Sequence, residues 1–307
     1  MAQEERKTLH LVGTHVTHSI AKSMHNYIAQ SLSLPWTFYS TTCPAFSDVL
    51  DLLGSPSTAG LVVTMPYKNA VMKHVDELDD LATIIGACNC IYYKEGPTKR
   101  LSIGSNTDWN GIIGSLLEGD ASRPRPSAAS PGSALVIGAG GASRAAVYTL
   151  ATHLHCPTIY ILNRDDQEVV DLIADSEKVS GGPRLIHVKS VEEAQRAGSP
   201  YYVLGTVPDM EPVSQVEKDV VAMLDVFLSK PEKGILLDLC FKPRITRMMK
   251  AGARSGWKCV EGIHVIGHQV VEQWRLWVGS ERLASLDQKA AWAVLLKAAD
   301  DSDEINF

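Results

Sequence analysis

Two sets of residues have types and spacing that could do chemistry. The first is Val136-Ile137-Gly138-Ala139-Gly140-Gly141-Ala142-Ser143-Arg144, between a strand-like run at Ala134–Ile137 and a helical run at Ser143–Leu154. Glycines in a strand-to-helix turn let the backbone approach a pyrophosphate, whose charge then meets a helix amino terminus. The third glycine of the usual G-x-G-x-x-G falls on Ser143, so the pattern is the variant G-x-G-G-A. Alone it is weak. Its strand-turn-helix setting, with Asn163-Arg164-Asp165 closing the next strand-like run where an adenosine ribose would be read, favours a dinucleotide site over an idle turn. The second set is Lys68, which follows a strand and Pro66, and Asp108, which opens a helix. Such strand-helix junctions are where small-ligand sites of open α/β sheets lie. A lysine beside an aspartate can move a proton and hold a hydroxyl through charge-assisted hydrogen bonds. Taken alone, a surface salt bridge is the better account of the pair.

The surrounding elements must hold these residues in place. Leu9–Gly13, Trp36–Ser40 and Gly60–Thr64 read as strands. Ser23–Leu32, with Met24, Tyr27, Ile28 and Leu32 on one face, and Phe46–Leu53 read as helices. Asp108–Glu118 is helical, and the Pro/Ser/Gly-rich stretch Gly119–Gly132 is the best candidate linker or surface loop. Beyond it a second α/β unit takes in strands at Ala134–Ile137, Thr158–Leu162, Leu185–Val188, Tyr201–Leu204 and Gly234–Asp238. Gly262–Ala299 is helical throughout on periodicity, and Val270, Val271, Trp274 and Trp277 make its first helix too apolar to stand alone. The predicted fold is therefore α/β with two domains and a central cleft. Residues 1–112 and 263–307 form one domain, and 113–262 form a Rossmann-type dinucleotide-binding domain.

At 307 residues the chain exceeds one ordinary core, and 45% hydrophobic with 21% charged residues is ordinary globular composition. A net charge of -6 argues against nucleic acid as a partner. The charged amino terminus lacks a signal-peptide pattern, and no run is long enough to span a membrane. The expected location is cytoplasmic. Cys88 and Cys90 fit neither a zinc knuckle nor a redox pair, so the cysteines are expected as reduced thiols. The histidines show no metal spacing, and no metal site is assigned.

Further motifs stand in order along most of the chain. They are His18-Ser19-Ile20-Ala21-Lys22-Ser23-Met24-His25-Asn26, Val62-Val63-Thr64-Met65-Pro66-Tyr67-Lys68, Gly86-Ala87-Cys88-Asn89-Cys90, Asn106-Thr107-Asp108-Trp109-Asn110-Gly111, the glycine turn, Asn163-Arg164, and Gly267-His268-Gln269-Val270-Val271-Glu272-Gln273-Trp274. In this the sequence resembles the shikimate/quinate dehydrogenase family, and Val203-Leu204-Gly205-Thr206-Val207-Pro208 resembles its fungal members. The resemblance implies reversible NAD(P)-linked oxidation of a ring hydroxyl of quinate or shikimate to the 3-dehydro ketone, with the domain at 1–112 and 263–307 binding the hydroxy acid. It makes Lys68 the acid/base and Asp108 its partner. Ser19 would hold the substrate carboxylate, and Thr64, Asn89 and Gln269 the substrate hydroxyls. The cofactor residues are Gly138, Ala139, Gly140, Gly141, Ala142, Asn163, Arg164, Asp165 and Thr206. His18 and His25 would order their loop, and Trp274 and Trp277 would serve the core.

The sequence departs from the family at Ala21, where a second carboxylate-binding serine is expected, and at Lys22, Val62 and Cys90. One lost hydroxyl donor to a carboxylate is worth about 1.5–3 kcal/mol, which Lys22 or Ser23 could replace. These changes suit a pocket that accepts quinate, with its additional hydroxyl. Asp165 and Glu168 stand where NADP-linked relatives carry threonine and a basic residue, so NAD is the preferred cofactor and NADP the alternative. A second account of the two aspartates is that Asp165 and Asp166 cap the next helix. Competing functions are an NADP-linked biosynthetic shikimate dehydrogenase, a non-catalytic ligand-sensing regulator of quinate use, and a folate-linked two-domain dehydrogenase. Lys68 with Asp108 disfavours the regulator, and Asn106-Thr107-Asp108 with Gln269 disfavours the folate enzyme. Monomer and homodimer both fit.

Overall fold

The structure is a computed structural model and describes residues 5–119, 124–179 and 182–307. The chain divides into two compact units. The first comprises residues 1–107 and 266–304, and the second 108–265 and 305–307. The crossings thus fall at Thr107/Asp108, Val265/Ile266 and Glu304/Ile305. Of Gly119–Gly132, expected as a linker or surface loop, the described residues 119 and 124–132 lie inside the second unit. There Arg125 Nη2 donates to the Leu117 carbonyl at 2.7 Å, and the Gly132 N–H donates to His155 O at 2.9 Å. Residues 120–123 of the expected linker lie outside the described residues.

The first unit is built on β1 (Lys7–Gly13), α1 (Ala21–Ser31), β2 (Trp36–Thr42), α2 (Phe46–Gly54), β3 (Thr58–Val63), β4 (Glu77–Leu78), α3 (Asp80–Ile85), β5 (Cys90–Glu95) and β6 (Arg100–Ser105). Its sheet order is β2-β1-β3-β5-β6-β4. β1 runs parallel to β2 and β3, whereas β5 is antiparallel to both β3 and β6. The β5–β6 hairpin was not anticipated. Ile91-Tyr92-Tyr93 has strand-forming side chains, and the turn closes where Gly96 N–H donates to Lys99 O at 3.0 Å. Val12, Leu61, Val63 and Ile91 are wholly buried or nearly so, each contributing about 1.5–3 kcal/mol by leaving water. Asp79 caps α3 by accepting from Ala82 N at 2.8 Å, and Gly86, at φ 75°, ends it.

The second unit runs through α4 (Asp108–Glu118), β7 (Ser133–Ile137), α5 (Gly141–Thr152), β8 (Thr158–Leu162), α6 (Asp166–Ser176), β9 (Arg184–His187), α7 (Val191–Arg196), β10 (Tyr202–Gly205), α8 (Gln215–Ser229), β11 (Ile235–Asp238), α9 (Arg247–Arg254) and β12 (Lys258–Val260). Its sheet is parallel throughout, in the order β12-β11-β10-β7-β8-β9. The strand order reverses between β7 and β10, the switch point of a dinucleotide-binding sheet. Strands covered on both faces must be apolar on both, and Leu135, Val136, Val203, Leu204, Leu236 and Leu237 are fully buried.

The carboxyl-terminal region is not one continuous helix. α10 (Ile263–Val278) ends at Gly279, whose φ of 83° only glycine adopts readily. α11 (Ser280–Leu283) follows, and Asp287 then caps α12 (Gln288–Asp300) by accepting from Ala290 N at 3.0 Å. α12 packs on α1 within the first unit. Trp277 of α10 lies over β3, where Gly60 leaves room for its indole, and Trp277 Nε1 donates to Ile91 O at 3.0 Å. All six cysteines are free thiols. No helix among the described residues is long and apolar enough to cross a membrane.

Candidate active site and dinucleotide site

Because β5 runs antiparallel between β3 and β6, its first residue lies level with the ends of its neighbours: Val62 pairs with Cys90, and Cys90 with Ser105. Residues just beyond β3 and β6 and just before β5 therefore collect at one edge of the first sheet, beside the end of β1. Thr64, Lys68, Asn89, Asn106 and Thr107 all arise there. The turn carrying Lys68 is tied down at several points. Thr64 N donates to Val12 O at 2.9 Å, Tyr67 N to Thr64 O at 3.0 Å, and the Tyr67 hydroxyl to Cys43 O at 2.8 Å. The Lys68 carbonyl accepts from Cys88 N at 2.9 Å, and Asn69 Nδ2 donates to Gly86 O at 2.9 Å. These bonds hold the Lys68 backbone in place at the end of β3.

Asn89 and Gln269, expected separately, are joined: Asn89 Nδ2 donates to Gln269 Oε1 at 3.1 Å. Asn89 Oδ1 accepts from Thr107 N at 2.6 Å and Thr107 Oγ1 at 3.2 Å. Gln273 Nε2 donates to the same hydroxyl at 3.2 Å. The motif reading missed Thr107 and Gln273 as members of this set. For Gln273 a signal existed, since it stands four residues after Gln269 and so shares its helix face. Ser19 is half-buried before α1, its oxygen accepting from Ala21 N at 3.4 Å. Ala21 is buried, whereas Lys22 and Ser23 are exposed on the first turn of α1. Cys88 is a neutral thiol, its pKa pushed up to about 12 by burial. Asp108 is buried at the first position of α4.

His25 and Trp274 form part of the first unit's core. The His25 ring stacks on Phe38 at 3.9 Å between centroids, and Nδ1 accepts from Trp274 Nε1 at 3.0 Å. Burial pushes its pKa down to about 3.

In the second unit the glycine turn lies at the carboxyl end of β7. Gly138 has φ 115°, and a Cβ there would strike Thr206 and Val207. A Cβ on Gly140, the N-cap of α5, would meet no protein atom within 4 Å, so the glycine leaves a cradle at the helix amino terminus. Gly141 and Ala142 open that helix and Ala139 is buried in the turn, so backbone N–H groups face the cradle with little side chain in the way. These features fit a dinucleotide pyrophosphate. Thr206 follows β10 across the switch point. Its Oγ1 donates to Ile137 O at 2.7 Å, so the Ser143 hydroxyl, at 2.7 Å from Thr206 Oγ1, donates to it. Ser143 and Thr206 thereby brace β7, α5 and β10 around the turn.

Beyond β8, Asp165 caps α6, its Oδ1 accepting from Gln167 N at 2.8 Å and Glu168 N at 3.1 Å. Asn163 Nδ2 donates to Asp165 O and Glu168 Oε2, both at 2.9 Å. Arg164 pairs with Glu217 at 2.6 Å. The Glu217 carboxyl is lowered to about 2 by the backbone N–H groups of Ser214 and Val213 and then by Arg164, so it stays ionised beside the guanidinium. Among the described residues no cluster of His, Cys, Asp and Glu could hold a metal ion.

The family described as the shikimate dehydrogenase substrate binding domain matches residues 11–91. A quinate dehydrogenase of Emericella nidulans is 32% identical over 290 residues, covering 89% of this chain and 88% of that protein. The chain also matches pentafunctional AROM polypeptides, of which it spans 17%. Among solved structures, a Thermus thermophilus shikimate 5-dehydrogenase in complex with NADP(H) and shikimate superposes with a TM-score of 0.70 at 25% identity, covering 95% of this chain and 99% of that one. A quinate dehydrogenase of Corynebacterium glutamicum in complex with NAD superposes with a TM-score of 0.74 at 21% identity, covering 95% and 100%, and shares the fold.

Proposed function

The chain belongs to the shikimate/quinate dehydrogenase family, enzymes of the oxidoreductase class, and from that premise we propose that it oxidises a ring hydroxyl of quinate or shikimate with NAD. The observation that carries this reading is the convergence of the Lys68 turn, Thr64 and the hydrogen-bonded Asn89–Gln269 pair at one edge of the first sheet. Thr64, Asn89 and Gln269 offer short polar groups matched to a polyol, and Ser19 offers a hydroxyl donor to its carboxylate. Lys68 takes the proton of the reacting hydroxyl, with Asp108 as its charge partner, and returns it in the reverse direction. A bound nicotinamide supplies the acceptor for the hydride that leaves the same carbon. In this reading the second unit binds the dinucleotide, Gly138–Ala142 cradling its pyrophosphate.

The preference for NAD rests on the residues after β8. Asp165 uses Oδ1 as a helix cap, which leaves Oδ2 to accept from a ribose 2′-OH. Glu168 and Glu217 add negative charge that repels a 2′-phosphate, and Glu217 already engages Arg164. The capping role and the ribose role of Asp165 are thus compatible rather than competing. The test is a steady-state assay of the purified chain with quinate or shikimate and either oxidised cofactor. NAD is expected to outperform NADP, and quinate to be turned over with a kcat/KM at least comparable to that of shikimate. Turnover of neither acid would overturn the reading, and shikimate oxidation without quinate oxidation would overturn the substrate assignment.

A further inference from the structure

We propose that Gln273 is a positioning residue that fixes the polarity of the substrate-binding amides, so that Gln269 meets the hydroxy acid as a hydrogen-bond donor. The inference rests on the function proposed above and adds a residue to it. Gln273 lies one helical turn beyond Gln269 on α10 and is almost fully buried, between the apolar Val270 and Trp274. Its Nε2 donates to Thr107 Oγ1 at 3.2 Å. A threonine hydroxyl has one proton. With a lone pair taken by Gln273 Nε2, that proton is left to point to Asn89 Oδ1, also at 3.2 Å. The same Asn89 atom receives the Thr107 backbone N–H at 2.6 Å. An amide atom facing two donors must be the carbonyl oxygen. The Asn89 NH2 therefore faces Gln269, and the Gln269 atom that accepts it, at 3.1 Å, is Oε1.

Donation thus runs one way, from Gln273 to Thr107 to Asn89 to Gln269. It leaves the Gln269 oxygen turned to Asn89 and its NH2 turned away. A substrate group meeting that NH2 must offer a lone pair, as an alcohol or carboxylate oxygen does. The position has a cost that points the same way. Among the described residues the buried Gln273 Oε1 has no hydrogen-bond partner, a penalty that methionine or leucine in the same place would avoid. The one bond this amide makes is the one that sets Thr107.

Two variants separate this role from packing, read as the calorimetric Kd for quinate and shikimate together with kcat and KM. Gln273→Met removes the donor at similar volume. Affinity for the hydroxy acid should fall about 3- to 10-fold, the worth of one neutral hydrogen bond, while the dinucleotide KM is unchanged. Gln273→Glu reverses the link when ionised, because the carboxylate takes the Thr107 proton and turns a lone pair onto Asn89 Oδ1. Protonated, the carboxylic acid donates as the amide did. Affinity in that variant should approach wild type at low pH and fall as pH rises, a profile absent from wild type and from Gln273→Met. Unchanged affinity in folded Gln273→Met, or a Gln273→Glu profile parallel to wild type, would overturn the proposal. Wild-type protein that binds the acid without turning it over would instead count against the proposed enzyme activity and leave the affinity comparison decisive for Gln273.

Discussion

Two buried groups, His25 in the first unit and Asp238 in the second, should respond to acid with opposite sign. His25 is wholly buried, and its Nδ1 can accept from Trp274 only while that nitrogen is unprotonated. Burial takes its pKa from 6.5 to about 3. The unfolded chain therefore binds a proton at His25 as pH drops through about 6.5, and the folded chain does so only near 3. Stability from neutral His25 is complete above pH 6.5 and is lost as pH falls through that window. At about 1.4 kcal/mol per pH unit, going from pH ~6.5 to ~4.5 costs the first unit roughly 2–3 kcal/mol. His10, also lowered by burial, acts in the same direction. Asp238, at the end of β11, behaves in reverse. Burial raises its carboxyl from 3.8 to about 6, against the lowering effect of hydrogen bonds from Thr246 Oγ1 and Cys240 N. The folded chain keeps a proton that the unfolded chain sheds, so this contribution is full below pH ~4 and is lost as pH rises to ~6, again roughly 2–3 kcal/mol. Amide hydrogen exchange of β1 and β3 against β10 and β11, corrected for intrinsic rates, reads the units separately. His25→Asn keeps an acceptor for Trp274 and cannot titrate. It should lower first-unit stability at neutral pH, through lost stacking, yet flatten its dependence between pH ~6.5 and ~4.5. Equal losses in wild type and His25→Asn over that interval would refute the assignment to His25.

Lys68→Ala should lower kcat by about 10²–10⁴-fold with little change in the cofactor KM, as expected for removing a general base. Steady-state kinetics showing near-normal turnover would remove Lys68 from that role. Gly138→Ala forces a side chain onto a backbone at φ 115° and against Thr206, so dinucleotide affinity by fluorescence titration should drop and the melting temperature should fall. Unchanged affinity would detach the turn from the cofactor. The double change Asp165→Thr, Glu168→Lys should shift the ratio of kcat/KM values toward NADP, and no shift would sink the proposal that these residues favour NAD.

How much of this was legible in the sequence follows from the range of the signals. The strands of the second unit and the glycine turn are written in contiguous residues: apolar runs such as Ala134–Ile137, then glycines where a backbone must come close. Motif order placed Lys68, Thr64, Asn89 and Gln269 in one list, but not in one place. What gathers them is the reversal of β5, a pairing between strands that no contiguous motif records. Periodicity gave more than one helix after Gly262 but not the place of the break, because the single left-handed residue Gly279 interrupts the helix without changing the pattern. Asp165 was offered as either a helix cap or a ribose ligand. The structure shows the cap, and because both capping bonds use one carboxylate oxygen, the ribose role proposed for the other is compatible with it. The direction of the Gln273–Thr107–Asn89–Gln269 chain lay furthest from reach. Sequence gives the residue types and, for the two glutamines, a shared helix face, but which end of an amide faces which neighbour depends on donors fixed by the backbone. There the donors are the N–H of Thr107, a group every residue but proline carries and no motif records, and the hydroxyl of the same residue, turned by Gln273.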